Sequence, residues 1–124
     1  MPDPLCPLAG RRILVVEDEY LIAMEIKRWL QIAGAEVVGP APGVDEALML
    51  IEADGLDAAV LDVNLGEGDT AYPIADRLRA DGIPHLFATG DAKVVVASVY
   101  GSHPRLEKPF LEQELVRTLA DLLS

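Results

Sequence analysis

The sequence predicts an α/β fold, an open, doubly wound parallel sheet of five strands with helices on both faces. Three observations predict it. Short apolar, β-rich runs alternate with amphipathic stretches along the whole chain. The first apolar run, "RILVV", carries no polar interruption, as a strand covered on both faces should not. Strand-like runs separated by helix-like ones must lie parallel, because the connections are crossovers, and right-handed crossovers place helices on both sides. The chain's 124 residues suit one domain with one sheet.

The elements follow in order. Residues 1–10, "MPDPLCPLAG", are proline-rich and aperiodic and read as a flexible leader ahead of a domain over 11–124. "RILVV" is the first strand. "EYLIAMEIKRWLQIAG" places Ile22, Ile26, Trp29, Leu30 and Ala33 on one helical stripe, with Gly34 closing it. "AEVVGPA" is the second strand, and "GVDEALMLIEADG" a helix with Val44, Ala47, Leu48 and Ile51 on its stripe. "DAAVLD" is the third strand. "TAYPIADRLRADG" is a third helix whose Pro73 falls in the first turn, where a missing N–H does no harm. "PHLFAT" is the fourth strand, "DAKVVVASVYG" a shorter helix, "PRLEKPF" the fifth strand and "LEQELVRTLADLLS" a final amphipathic helix.

Composition narrows the function classes. Hydrophobic residues make up 51%, which excludes a disordered chain. No apolar run approaches the ~20 residues of a membrane span. Prolines and an acid stand where a signal peptide needs basic and then apolar residues, so a cytoplasmic location is expected. The one cysteine, Cys6, cannot form an internal disulfide. A formal net charge of −11 argues against gripping a phosphate backbone, and so against direct nucleic-acid binding. It accords with an acid cluster that holds a metal, although most of these carboxylates are simply a solvated surface.

The ends of the strands carry the chemistry. In folds of this class, ligands bind beyond the carboxyl ends of the strands, where strand order reverses. Glu17 and Asp18 follow the first strand, Asp62 ends the third, Thr89 ends the fourth and Lys108 follows the fifth. Brought together, the acids repel, and at least one should have a raised pKa. A divalent cation relieves that repulsion. Oxygen ligands without His or Cys at the strand ends favour Mg²⁺ over zinc. Lys108 can offset charge arriving on a phosphoryl group, and its bond to Pro109 has a cis penalty of only about 0.5–1 kcal/mol. Thr89 offers a hydroxyl donor and Gly90 room for backbone approach. A carboxylate in such a set can accept a phosphoryl group as an acyl phosphate. Opposite the core stripe of the first helix, Tyr20, Met24, Lys27 and Gln31 share a face beside the acids and form a candidate docking patch. His85 and His103 read as structural or solvent-facing rather than as ligands.

At these positions the sequence resembles the receiver domains of bacterial two-component response regulators. "VVEDE" follows the first strand, "LDVNLGEG" the third, "FATG" the fourth and "EKPF" the fifth. The match covers about residues 11–124 and is nearest the subgroup carrying Phe-Ala-Thr-Gly. The resemblance implies a flavodoxin-like (βα)5 fold and Asp62 as phospho-acceptor. It implies Asp18 as the main Mg²⁺ ligand, Glu17 acting through water, and the backbone carbonyl of Asn64 completing the metal shell. Thr89 would bind a phosphoryl oxygen and Lys108 would pair with the phosphate. The implied phosphodonor is a histidine kinase or histidine phosphotransfer protein, the output is a partner protein, and a homodimer is open to such a domain. It would act on no substrate but itself. Arg105 stands three positions before Lys108, where the family usually has an aromatic residue, and Asp91 and Ala92 follow "FATG". Asn64 and Asp91 flank the acceptor, where side chains tune acyl-phosphate lifetime.

Other classes fit less well. A phosphatase using an aspartyl phosphate commonly has a second Asp two residues beyond its nucleophile; here that residue is Asn64. A nucleotide-binding module needs a glycine-rich loop after the first strand, and "EDEYL" offers carboxylates instead. The alternative within reach is a pseudo-receiver that takes no phosphate and serves as a protein-interaction module.

Overall fold

Five strands pair in parallel in a single sheet: β1 (Arg12–Val16), β2 (Glu36–Ala41), β3 (Ala58–Asp62), β4 (His85–Thr89) and β5 (Arg105–Glu107). Their order is β2-β1-β3-β4-β5. This computed structural model describes residues 6–53, 55–66, 68–90 and 104–124. The helix expected over "DAKVVVASVYG" and His103 lie outside the described residues. Four helices are described: α1 (Tyr20–Ile32), α2 (Val44–Ala53), α3 (Tyr72–Ala80) and α4 (Glu112–Leu123). The doubly wound, flavodoxin-like arrangement is thereby observed, and the order reverses between β1 and β3.

Side-chain alternation along the strands divides the core in two. Leu14, Val16, Ala59, Leu61 and Phe87 face one side, with Ala47 and Ile51 of α2 and Ile74, Ala75 and Leu78 of α3. Ile13, Val15, Ala58, Val60, Leu86 and Ala88 face the other, with Ile26 and Leu30 of α1 and Leu115 and Leu119 of α4. Every residue of β3 and β4 is buried, which is why β3 is apolar up to Asp62 and β4 is apolar between His85 and Thr89. On α1 the buried positions are Ala23, Ile26 and Leu30, while Ile22 and Trp29 lie half-buried at the stripe's margin. The α2 and α4 stripes fall where periodicity puts them. At the start of α4 the Glu114 carboxylate accepts from the Leu111 N–H at 3.0 Å, holding the turn that follows Lys108.

The end of α1 shows how residues 6–10 are held against the domain. Gly34 has φ +96° and forms a Schellman closure: its N–H donates to the Gln31 carbonyl, and the Ala35 N–H to the Leu30 carbonyl. A Cβ on Gly34 would meet the Cα of Ala9 at 2.9 Å. The bare glycine lets residues 6–10 lie against the helix end, where the Leu8 N–H donates to the Ala33 carbonyl at 2.9 Å and the Leu8 side chain is fully buried. The expectation of a loose segment reaching residue 10 is therefore corrected for residues 6–10. One apolar side chain among prolines carries no periodicity to reveal it. Leu8→Ala is expected to lower the unfolding free energy by about 3 kcal/mol, read as a lower urea midpoint with an unchanged slope.

Candidate phosphoryl-transfer site

Glu17, Asp18 and Asp62 meet at the carboxyl edge of the sheet, where β1 and β3 are neighbours. Each offers one carboxylate oxygen within 4.8 Å of the others'. β1 and β3 run in register from Ile13–Ala58 to Val16–Leu61, so the residues that follow, Glu17 and Asp62, leave the sheet side by side. Glu17 and Asp62 are buried and Asp18 is exposed.

Lys108 reaches this cluster from the far strand. Its Nζ donates to Glu17 Oε2 at 2.7 Å and stands 3.5 Å from Asp62 Oδ2. The other Glu17 oxygen, Oε1, accepts from the Glu19 N–H at 3.2 Å, so both oxygens of Glu17 are engaged. Thr89 is buried at the end of β4, and its carbonyl accepts from the Lys108 N–H at 2.7 Å, tying the two positions together. The Lys108–Pro109 peptide is cis. Beyond Asp62 the chain makes a tight hairpin. Ala71 N–H donates to the Val63 carbonyl and Leu65 N–H to the Asp69 carbonyl, flanking the Asn64–Thr70 pair. That pattern leaves the Asn64 carbonyl outside the hairpin's own bonds. All the sequence-predicted residues, Glu17, Asp18, Asp62, Asn64, Thr89 and Lys108, therefore sit at one edge; Asp91 lies outside the described residues.

Electrostatics follow from this crowding. Burial, and then the charge of Glu17, push the Asp62 carboxyl up to about 8; Lys108 opposes the rise. Burial pulls the Lys108 ammonium down, but the hydrogen bond to Glu17 and the charges of Asp62 and Glu17 outweigh it, leaving a net rise. Three carboxylates around one ammonium leave negative charge in excess, and all their donors are hard oxygens. The oxygen donors of Glu17, Asp18 and Asp62 thus fit a small divalent cation.

Two features escaped the sequence reading. Leu21, beside Tyr20 on the first turn of α1, is 81% exposed. A cleft of about 530 Å³ runs between α1 and residues 108–112, lined by Ile22, Ile26, Trp29, Pro109 and Phe110, and opens at Gly90 and Lys108. Ile22 and Trp29 read as core because stripe analysis cannot separate a margin from a centre. His85 is buried, with Nδ1 3.0 Å from the Ile83 carbonyl and its ring edge-on to Phe87.

Comparison with known proteins gives a consistent answer. The family model described as the response regulator receiver domain matches residues 13–120. The transcriptional regulatory protein PdtaR of Mycobacterium tuberculosis is 34% identical over 110 residues, covering 86% of this chain and 53% of that protein. The chain thus spans about half the length of the curated relatives it matches. Among solved structures, SdrG of Sphingomonas melonis Fr1 is 42% identical with a TM-score of 0.82, over 92% of this chain and 97% of that one. SdrG is also known in a BeF3-activated conformation, with a TM-score of 0.79. The response regulator PhyR of Brucella abortus is 26% identical with a TM-score of 0.78, over 95% of this chain and 50% of that one.

The raised Asp62 pKa gives a pH signature. Between about 4 and about 8 the folded chain keeps a proton on Asp62 that the unfolded chain releases, so stability falls as pH rises through that window. Lys108 titrates above it in both states and adds no slope there. Urea unfolding of metal-free protein across this range is expected to show the decline, and Asp62→Asn to flatten it.

Proposed function

Because this chain belongs to the response regulator receiver family, we propose that it accepts a phosphoryl group on Asp62 and relays that state by changing which partner it binds. The observation that carries the reading is the position of the Lys108 ammonium, 2.7 Å from Glu17 and 3.5 Å from Asp62 inside a three-carboxylate cluster. A phosphoryl group on Asp62 would place its oxygens beside that ammonium, at the edge where Thr89 ends β4. The 42%-identical SdrG, known in a BeF3-activated conformation, supports the reading, since a beryllium trifluoride group is tetrahedral and anionic like a phosphoryl group.

The phosphodonor is a phospho-histidine on a histidine kinase or histidine phosphotransfer protein. An Asp62 oxygen attacks phosphorus. The new O–P bond forms as the donor's P–N bond breaks, and the imidazole nitrogen keeps the electron pair and takes a proton from solvent. Attack requires ionised Asp62, which burial and Glu17 disfavour. Mg²⁺, when bound, supplies the positive charge that keeps Asp62 ionised and neutralises the phosphoryl oxygens. Asp18, Asp62 and the Asn64 carbonyl would hold it, with Glu17 through water. Lys108 pairs with the charge that accumulates on the phosphoryl group, and Thr89 donates to one of its oxygens.

Arg105 is exposed where an aromatic residue is usual, so the output does not run through a threonine–aromatic couple. It runs through the segments that follow Thr89 and β5, which meet where the Lys108 N–H donates to the Thr89 carbonyl at 2.7 Å. A full switch from 1:99 to 99:1 takes about 5.5 kcal/mol, which the contacts to Thr89 and Lys108 must supply. The domain acts in the cytoplasm on no substrate but itself, and its output is a partner protein or a further domain.

Incubation with Mg²⁺ and a small phosphodonor is expected to add one phosphoryl group by intact mass, and Asp62→Asn to add none. A wild type that takes up no phosphate would leave the binding-only pseudo-receiver. Tyr20 is 72% exposed and borders Leu21, so the donor is expected to dock on this end of α1. Met24→Lys should slow transfer from the donor protein while leaving the small-phosphodonor rate unchanged; equal slowing of both would refute docking there.

A further inference from the structure

The loop between β3 and α3 holds two glycines with the same backbone demand and different surroundings. Gly66 has φ +80° and Gly68 φ +83°. Each lies in the left-handed region, so an alanine at either position bears a similar strain. The turn closes through the Asp69 N–H, which donates to the Gly66 carbonyl at 2.9 Å. A Cβ on Gly68 would meet nothing within 4 Å, whereas a Cβ on Gly66 would stand 3.3 Å from Asp18 Oδ2.

We infer that Gly66 is a positioning residue: its missing side chain is the space in which the Asp18 carboxylate stands beside Asp62. At 3.3 Å the intrusion is too mild to break the loop. One side must give by a few tenths of an ångström, and the exposed carboxylate at the end of a short side chain gives more easily than a hydrogen-bonded turn. Asp18 then leaves its place among three oxygens that lie within 4.8 Å of one another. A methyl there would also displace water from the carboxylate. Mg²⁺ demands near-ideal octahedral geometry, so a small displacement of one ligand is felt in affinity. The inference rests on the reading that these acids hold Mg²⁺.

The test compares wild type, Gly66→Ala, Gly68→Ala and Asp18→Asn. The readouts are the urea midpoint, the Asp18 carboxyl ¹³C resonance in metal-free protein, and Mg²⁺ affinity by calorimetry. Both alanine variants are expected to lower the midpoint by similar amounts. Only Gly66→Ala should shift the Asp18 resonance and weaken Mg²⁺ about tenfold. Wild-type affinity and an unmoved Asp18 resonance in Gly66→Ala would overturn the role of Gly66 alone. A wild type that binds Mg²⁺ no better than Asp18→Asn would overturn the metal reading and this inference with it. Should Gly66→Ala fail to fold, Gly66→Asn carries the same Cβ on a residue that tolerates positive φ, and must show the same loss.

Discussion

The ion pair between Lys108 and Glu17 is the contact on which the rest of the site depends. It joins residues 91 apart in sequence, at 2.7 Å, with the Glu17 side chain almost wholly buried. A buried ion pair adds little net stability, yet removing one partner costs about 3–5 kcal/mol because the other is left charged and dry. This pair can form only if β1 and β3 are adjacent, β5 lies beyond β4, and all carboxyl ends point the same way. Topology and chemistry are thus conditions on each other: a different strand order would strand a lysine on one rim and three acids on another.

The sheet also separates duties. One face, under α2 and α3, is closed by Phe87 and a dense set of alanines and aliphatics. The other, under α1 and α4, carries the half-buried margin of Ile22 and Trp29 and the cleft beside Lys108. The acids stand where both layers stop, at the rim. The closed face packs tightly beneath the strand ends, and the other leaves an open cleft that reaches Lys108.

Much of this was legible in the text because burial on both faces leaves a plain mark. Strand β3 reads as an unbroken apolar run ending in Asp62, and β4 as one ending in Thr89 after His85 at its start, whose Nδ1 lies 3.0 Å from the Ile83 carbonyl. The amphipathic helices between them dictated crossovers, and the crossovers dictated that the strand ends meet. What the text did not show are contacts with no periodicity. Leu8 sits among prolines and docks because Gly34 leaves room for Ala9. The stripe of α1 named Ile22 and Trp29 correctly as apolar positions but could not say that they border a cleft. Nor does the text "LGEG" reveal that a Cβ would meet Asp18 at Gly66 and nothing at Gly68.

The chain's single tryptophan lies in an informative place. Trp29 packs edge-on to Phe110, centroids 6.2 Å apart, two residues beyond the lysine that pairs with Glu17. An indole is an intrinsic fluorophore whose emission senses the polarity and quenching groups around it. The native molecule therefore carries its own optical gauge of the segment after β5, readable in dilute solution without a label.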